Sequence, residues 1–235
     1  MSEPFRFKHF QVNNERSALK VGTDAVLLGA AMSLPERRPL RLLDIGTGTG
    51  VIALMAAQRL GDGFRIDAID IDAASAEEAA GNFEGSPWAG KLDAVNVPLQ
   101  DFHPSGSYDL IFSNPPFYEN SLENPDAREA AARHTGSLSY RDICSFAAEN
   151  LTPDGTVSLI LPAQMELPMM RTAASFGLFP FRIMRVRTTA RKPFSRVVVE
   201  LGRSRTPVPS IGEIVLQDGP LRSEAYSALT EDFYL

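Results

Sequence analysis

Short apolar runs of strand length alternate along this 235-residue chain with longer segments whose apolar residues recur at helical spacing. The predicted strands are 40–45, 65–71, 92–98, 108–113 and 156–161, and the predicted helices are 51–60, 73–83, one from 139 to about 153, and 164–176. Alternating strands and helices predict an open parallel sheet that is covered by helices on both faces.

The end of the chain departs from this alternation. Residues 182–188 and 195–201 are both strand-like, and no segment of helix length lies between them. We therefore predict that they form an antiparallel hairpin at the edge of the sheet. The whole pattern predicts an α/β, Rossmann-like fold with a seven-stranded, mostly parallel sheet and an antiparallel C-terminal hairpin.

The length suits one domain, which we divide into an N-terminal segment that contacts substrate and cofactor (1–38), a core (39–205) and a small extension with a strand and a helix (206–235). No apolar run is long enough to span a membrane, and the N-terminus lacks a signal-peptide pattern. One cysteine fits a reducing compartment, so we expect a cytoplasmic protein. The scattered histidines predict no metal site, and nothing in the sequence indicates an obligatory protein partner.

A glycine-rich turn with the sequence Asp44-Ile45-Gly46-Thr47-Gly48-Thr49-Gly50 leaves the first predicted strand. Glycine lets the backbone turn tightly and approach a ligand closely. The spacing is GxGxG, whereas dinucleotide sites carry GxGxxG, which counts against NAD. We assign this turn to a cofactor, with Asp44, Gly46, Thr47, Gly48 and Gly50 as contacts. The alternative is a purely structural turn.

Carboxylates also follow the second and third predicted strands. Asp70, with Ile71 beside it, ends the second strand, where a carboxylate accepts hydrogen bonds from ribose hydroxyls in doubly wound folds. Asp72 has a second interpretation as the cap of the next helix. After the third strand, Asp101 is suited to accept a bond from an adenine amino group and Phe102 to pack on the ring. The alternative there is a polar loop.

The sequence Asn114-Pro115-Pro116-Phe117 follows the fourth predicted strand. Two prolines stiffen this turn, so the Asn114 side-chain oxygen and the Pro115 carbonyl are fixed acceptors for one N–H each. Such a pair orients a planar amino group and stabilises the positive charge that develops when it attacks a methyl group. Phe117 can stack on the flat substrate. We predict that Asn114, Pro115 and Phe117 are catalytic and that Asn114 also contacts the cofactor.

These features resemble the class I methyltransferases, whose cofactor is S-adenosylmethionine. The Asn-Pro-Pro-Phe motif resembles that of a superfamily whose members methylate adenine, guanine or glutamine. The segment around Lys20, Gly22, Thr23 and Asp24 is similar to the motif by which amino-methyltransferases hold the methionine part of the cofactor. Asp24 also fits a helix cap.

The longer resemblance is to the bacterial tRNA adenine-N6 methyltransferase family that modifies adenine 37 of a valine tRNA. It covers nearly the whole chain and is most specific in Lys192-Pro193-Phe194-Ser195-Arg196-Val197 and in the ending Asp232-Phe233-Tyr234-Leu235. It implies methylation of adenine N6 in tRNA. Guanine methylation of ribosomal RNA and glutamine methylation of release factors are the alternatives, although Tyr is usual at Phe117 in the glutamine enzymes and His often replaces Tyr118 in the guanine enzymes.

Charge is unevenly distributed. The net charge is −6, yet residues 182–205 contain eight basic residues and one glutamate, a balance of +7. We predict that tRNA contacts Arg187, Arg191, Lys192 and Arg196 on the hairpin; a merely solvated hairpin face is the alternative. A loop over 118–137 is predicted to be a lid whose Arg133 and His134 contact phosphates, against the alternative of a disordered surface loop.

Overall fold

The computed structural model describes residues 3–17, 20–116 and 138–235. Its strands are β1 (Phe5–Arg6), β2 (Gln11–Val12), β3 (Leu40–Ile45), β4 (Phe64–Asp70), β5 (Leu92–Asn96), β6 (Tyr108–Ser113), β7 (Leu151–Pro162), β8 (Phe179–Thr189), β9 (Phe194–Gly202), β10 (Ser210–Asp218) and β11 (Leu221–Arg222). Its α-helices are α1 (Thr23–Ala31), α2 (Val51–Leu60), α3 (Ala73–Glu84), α4 (Tyr140–Asn150), α5 (Glu166–Ser175) and α6 (Glu224–Thr230).

One large mixed sheet organises the fold, with the strand order β11-β10-β8-β9-β7-β6-β3-β4-β5. Strands β3 to β7 are mutually parallel where they pair. Strand β9 is antiparallel to both of its neighbours, β7 and β8. The predicted mostly parallel α/β sheet with an antiparallel C-terminal hairpin is therefore confirmed.

The sheet is wider than predicted, and the hairpin does not form its edge. Strand β10 pairs in parallel with β8, and β11 pairs with β10, so the sheet has nine strands rather than seven. The apolar pattern could not place these strands, because Ile214 is the one fully buried residue of β10 while Ile211 is 54% exposed. The predicted extension of a strand and a helix corresponds to β10 and α6.

Two separate apolar clusters fill the two faces of the sheet, as the alternation of side chains along a strand requires. Leu42 of β3 belongs to the cluster formed with α1, α2 and α3. Its neighbour Leu43 belongs to the cluster formed with α4 and α5. Helices on both faces leave the carboxyl edge of the parallel strands open, which is where such sheets bind ligands.

The helix predicted from 139 to about 153 ends earlier, at Asn150, and residues 153–155 lie inside β7. The ladder with β6 jumps from the pair Tyr108–Leu151 to the pair Leu110–Thr156, so the residues between them bulge out of register. A bulge accommodates Pro153 and Gly155 without ending the strand. These two residues therefore do not mark the end of the helix.

Candidate active site

The glycine-rich turn joins β3 to α2 at the carboxyl edge. Gly46, Gly48 and Gly50 have φ values of +70°, +56° and +79°, in the left-handed region that favours glycine. The Gly46 amide donates to the Ile69 carbonyl of β4 over 2.8 Å. A Cβ on Gly50 would lie 2.5 Å from the ring of Phe83. The turn therefore needs glycine at these positions, and α3 packs directly against it.

Asp70 ends β4 beside this turn. Its carboxylate accepts the Gly48 amide at 2.8 Å and the Asp72 amide at 2.9 Å. A carboxylate offers about four lone-pair sites, so each oxygen can still accept a ligand hydroxyl. Burial raises the pKa of Asp70, and the two backbone N–H groups lower it. Ile71 next to it is 56% exposed and presents an apolar surface, while Asp72 caps α3 by accepting the Ser75 amide at 2.8 Å.

Asp44 is a fully buried carboxylate at the end of β3. The Thr47 hydroxyl donates to its Oδ2 over 2.7 Å. Its Oδ1 is buried and has no hydrogen-bond partner among the described residues. The pKa of Asp44 is raised to about 7, mainly by burial and in part by the nearby Asp70 charge, against the lowering effects of the Thr47 hydroxyl and the Ala53 amide. A further donor from a bound ligand would lower the free energy cost of this arrangement.

Asn114 leaves the sheet directly beside the glycine turn. The Ser113 hydroxyl donates to the Ile45 carbonyl over 2.6 Å and so joins the ends of β6 and β3. The Asn114 Oδ1 atom is buried, and within the described part of the chain it accepts no hydrogen bond. Pro115 is buried as well. Phe117 lies outside the described residues.

The two unpaired acceptors belong to one site. Asp44 is the register partner of Phe112, two residues before Asn114. With about 3.3 Å per residue and 4.8 Å between strands, the backbones of Asp44 and Asn114 are roughly 8 Å apart. The carboxyl ends of β3, β4 and β6 thus collect a half-buried carboxylate, a buried carboxylate and a buried amide oxygen at one edge.

The predicted methionine-binding segment, 20–24, lies just before and in the first turn of α1, whose N-cap is Gly22. Asp24 forms an ion pair with Arg196, with 2.8 Å between Oδ2 and Nε. Asp24 was predicted to contact cofactor and Arg196 to contact tRNA, so the structure joins two residues that the sequence assigned to different ligands. The pair anchors β9 to α1 close to the cofactor edge.

The predicted adenine loop follows β5 as a 3-10 turn, Leu99–Asp101. Asp101 is exposed. Phe102 stacks on Phe146 of α4, with 6.2 Å between ring centroids and 28° between ring planes. One face of Phe102 is therefore occupied by protein, and an adenine would have to pack against the remaining surface of the ring.

The basic hairpin carries much less net charge than its sequence suggests. Four of its arginines form the ion pairs Arg182–Glu200, Arg185–Glu166, Arg187–Glu213 and Arg196–Asp24. Three of these acidic partners lie outside the segment, so a count along the sequence could not see them. Arg187 also stacks on Phe194, with 3.8 Å from its guanidinium carbon to the ring centroid. Arg191 and Lys192 are exposed in the turn between β8 and β9, and neither forms an ion pair within the described residues.

A polar face on α3 was missed by sequence reasoning. Ser75, Glu78 and Asn82 are all buried there. Glu78 and Asn82 bind the backbone of 13–17, and the Ser75 hydroxyl bonds the Ser17 hydroxyl. The available signal was the spacing of three and four residues, which places these polar side chains on one side of an alanine-rich helix.

Two negative findings concern the described ranges alone. In residues 3–17, 20–116 and 138–235, no group of three or more His, Cys, Asp or Glu side chains could hold a metal ion. No helix in those ranges combines the length and apolarity needed to cross a membrane. The predicted contacts Arg133 and His134 lie outside the described residues.

Comparison with known proteins identifies the family. A family model described as "Methyltransferase small domain" matches residues 16–178. A relative from Aeromonas salmonicida, named tRNA1(Val) (adenine(37)-N6)-methyltransferase, is 41% identical over 232 residues, which cover 98% of this chain and 97% of the relative. The chain belongs to this methyltransferase family. The resemblance inferred from the hairpin and chain-end motifs is confirmed.

Solved structures of other methyltransferases share the fold. A predicted O-methyltransferase from Agrobacterium tumefaciens superposes with a TM-score of 0.67 at 16% identity, covering 89% of this chain and 96% of that one. A TehB-like SAM-dependent methyltransferase from Corynebacterium glutamicum gives a TM-score of 0.51 at 18% identity, covering 77% and 88%. The fold is that of the class I methyltransferases.

The carboxyl edge fits S-adenosylmethionine, the cofactor of this methyltransferase class. The buried Oδ1 of Asp44, which accepts no hydrogen bond in the described part of the chain, suits a cationic donor such as the amine of the methionine part. Asp70 retains lone pairs for the ribose hydroxyls, and the exposed Ile71 can cover a flat ring. The donor set and the glycine turn therefore match the cofactor that the family implies.

Proposed function

We propose that this chain transfers a methyl group from S-adenosylmethionine to N6 of an adenine in tRNA, adenine 37 of the valine tRNA that its relatives' name specifies. The name of a relative at 41% identity over 98% of the chain supports the substrate. The observation that carries the chemistry is the buried Oδ1 of Asn114, which has no hydrogen-bond partner among the described residues. A buried acceptor without a donor costs roughly 1–3 kcal/mol, and a substrate N–H would remove that cost.

The reaction requires an exocyclic amine to attack although its lone pair is delocalised into the ring. Asn114 Oδ1 and the Pro115 carbonyl each accept one N–H, which orients the lone pair and stabilises the developing positive charge. Bound S-adenosylmethionine supplies an already activated methyl group, so alignment is the main requirement. Pro115 and Pro116 keep the acceptors fixed. Phe117 is assigned to stack on the adenine, as its place in the motif predicts.

For the tRNA backbone we propose Arg191 and Lys192 as phosphate contacts. Both are exposed, and the turn that carries them lies at the same edge of the sheet as Asn114. The strand register pairs Ser113 with Leu159, Leu159 with Val199 and Val199 with Ile183. The turn therefore lies three strands to the side of Asn114 and about seven residues beyond its level, roughly 25 Å away. A tRNA whose adenine is held at Asn114 would meet this turn with its backbone further along the anticodon arm. Arg133 and His134 remain further predicted contacts, and we assign the protein to the cytoplasm, where tRNA is modified.

Replacing Asn114 with alanine tests the proposal. Asn114→Ala should lower the turnover of tRNA methylation by roughly 10²–10³-fold, because one of two acceptors for the amine is lost. Affinity for S-adenosylmethionine should change by only a few fold, because Asp44, Asp70 and the glycine turn are intact. Turnover is measured with purified tRNA and isotope-labelled cofactor, and affinity by calorimetry.

Asn150→Ala is the matched control, since Asn150 bonds the Phe146 carbonyl at the far end of α4. It should leave both quantities unchanged. Substantial methylation by Asn114→Ala would contradict the assigned role, as would a loss of activity that simply follows loss of cofactor binding. Detection of methylguanine or methylglutamine as the product would show that the substrate is that of the other members of the superfamily, guanine or glutamine, and not adenine.

A further inference from the structure

One side of α3 is polar and buried at the same time. Ser75, Glu78 and Asn82 are 1%, 7% and 3% exposed, and their spacing of three and four residues puts them on one face. Buried polar side chains need hydrogen-bond partners. Here the partners come from residues 13–17, a segment that we call the strap.

Glu78 holds the strap by three backbone donors. Its Oε1 accepts the amides of Glu15 and Arg16 at 2.7 and 2.9 Å, and its Oε2 accepts the amide of Ser17 at 2.8 Å. Bonds to an ionised acceptor are about twice as strong as neutral ones. One carboxylate therefore fixes three consecutive residues of the strap to α3.

Asn82 joins the strap to the glycine turn. Its Oδ1 accepts the Asn13 amide at 2.8 Å, and its Nδ2 donates to the Asn13 carbonyl at 3.0 Å and to the Thr49 carbonyl at 2.9 Å. Thr49 lies between the last two glycines of the turn. A single side chain thus bonds both segments.

The strap in turn holds the segment 20–24. The Asn14 side-chain oxygen accepts the Val21 amide at 3.2 Å, and Lys20 Nζ donates to the Glu15 carbonyl at 2.8 Å. These contacts connect the backbone that Glu78 fixes to the residues assigned to the methionine part of the cofactor.

Helix α3 is therefore the common support of the cofactor edge. The backbone N–H of its N-cap residue, Asp72, donates to the Asp70 carboxylate over 2.9 Å. Its Phe83 packs against Gly50, and its polar face binds the strap. We propose that Glu78 and Asn82 are positioning residues that set the strap, and with it residues 20–24, against the amino-acid end of S-adenosylmethionine. This inference rests on the proposed role of residues 20–24.

The test compares Glu78→Gln with Glu77→Gln. Glutamine at 78 keeps the shape but turns one acceptor into a donor, which then opposes a backbone N–H. Glu77 is the adjacent residue; its side chain is 63% exposed and pairs with the Arg16 side chain, so its loss should matter little. The probes are S-adenosylhomocysteine, which carries the amino-acid end, and methylthioadenosine, which lacks it.

The ratio of the two probe affinities isolates the amino-acid end. Glu78→Gln should lower the affinity for S-adenosylhomocysteine by about tenfold and change the affinity for methylthioadenosine by no more than about twofold. The ratio of the first affinity to the second should therefore fall by about tenfold. Glu77→Gln should keep the wild-type ratio. The KM for S-adenosylmethionine should rise in Glu78→Gln, and kcat at saturating cofactor should stay near wild type because Asn114 is untouched.

An unchanged ratio in folded Glu78→Gln would overturn the positioning role, and so would equal weakening of both probes, which is the mark of general destabilisation. If Glu78→Gln does not fold, Asn82→Ser loses the links to Asn13 and Thr49 and is measured in the same way. Wild-type protein that binds neither probe and transfers no methyl group would refute the proposed function itself. Wild-type activity with an unchanged ratio refutes the positioning role alone.

Discussion

Asp44 is a fully buried carboxylate, and its Oδ1 has no hydrogen-bond partner within residues 3–17, 20–116 and 138–235. Its pKa is raised to about 7, mainly because burial disfavours the charged form. A cationic ligand group would reverse that effect and favour ionisation. Cofactor binding and the charge on Asp44 are therefore expected to be coupled.

Affinity for S-adenosylmethionine should fall as pH is lowered from 8 to 6, by at most about tenfold per pH unit, because Asp44 becomes protonated in the free protein. Asp44→Asn should bind weakly at pH 8 and show no such pH dependence. Asp93→Asn, in the exposed part of β5, is the control. Calorimetry across this range measures the effect, and an equally steep profile in Asp44→Asn would assign the titration to another group.

The same raised pKa has the opposite consequence for stability. The folded state holds the Asp44 proton up to about pH 7, while the unfolded chain releases it near the ordinary value of 3.8. The contribution of this group to the free energy of unfolding is thus complete below that value and is lost as pH rises towards 7. Asp44→Asn should accordingly raise the melting temperature at pH 8, and a lower melting temperature would contradict the assigned burial cost.

At this scale the sequence predicted residues whose roles depend on strand ends. Asp44, Asp70 and Asn114 could be found because each follows a recognisable strand. The spacing along α3 marks Glu78 as part of a polar face, but its partners could not be predicted, since they are backbone amides more than 60 residues away. The Asp24–Arg196 pair was missed for the same reason, because ion pairs between distant segments leave no local pattern.

Among the elements, the β8–β9 hairpin is the one whose charge the structure revises most. Most of its charge is neutralised by acidic residues of other elements. Exposed positive charge remains at its turn, in Arg191 and Lys192. Of the four tRNA contacts predicted on the hairpin, Arg187 and Arg196 are paired with carboxylates, and Arg191 and Lys192 keep an exposed charge that suits a phosphate.

Replacing Arg191 and Lys192 together by glutamine should weaken tRNA binding by roughly tenfold or more at low salt. The slope of log affinity against log salt should become shallower by about 1.5 to 2, one phosphate contact per residue. Arg65→Gln is the control, because Arg65 bonds the Gly90 carbonyl near the amino end of β4, at the opposite edge of the sheet. Unchanged affinity and slope in the double variant would move the RNA surface elsewhere.

Element by element, the five parallel strands and the hairpin were predicted because buried strands are continuous apolar runs. The strand predicted in the extension corresponds to β10, but its pairing with β8 and the existence of β11 were not predicted, because most residues of these strands are exposed or half-buried and give no buried apolar run. This error did not affect the prediction of the site residues, since β10 and β11 lie on the far side of β8 from β3, β4 and β6.

For the whole molecule, one edge of one sheet gathers the site. The glycine turn, Asp70 and Asn114 follow β3, β4 and β6, and the turn with Arg191 and Lys192 lies on the same edge. The proposed contacts for cofactor, reacting amine and RNA backbone are thereby all placed along one edge of the sheet. That arrangement agrees with the family to which the chain belongs and with the proposed transfer of a methyl group to an adenine in tRNA.

The central claim is that the methylated group is adenine N6 in tRNA. Mass spectrometry of nucleosides from purified tRNA, prepared from cells with and without the gene, tests it most directly. The account predicts that N6-methyladenosine at position 37 of the valine tRNA is present with the gene, absent without it, and not restored by Asn114→Ala. Undiminished N6-methyladenosine in tRNA from cells that lack the gene would contradict it.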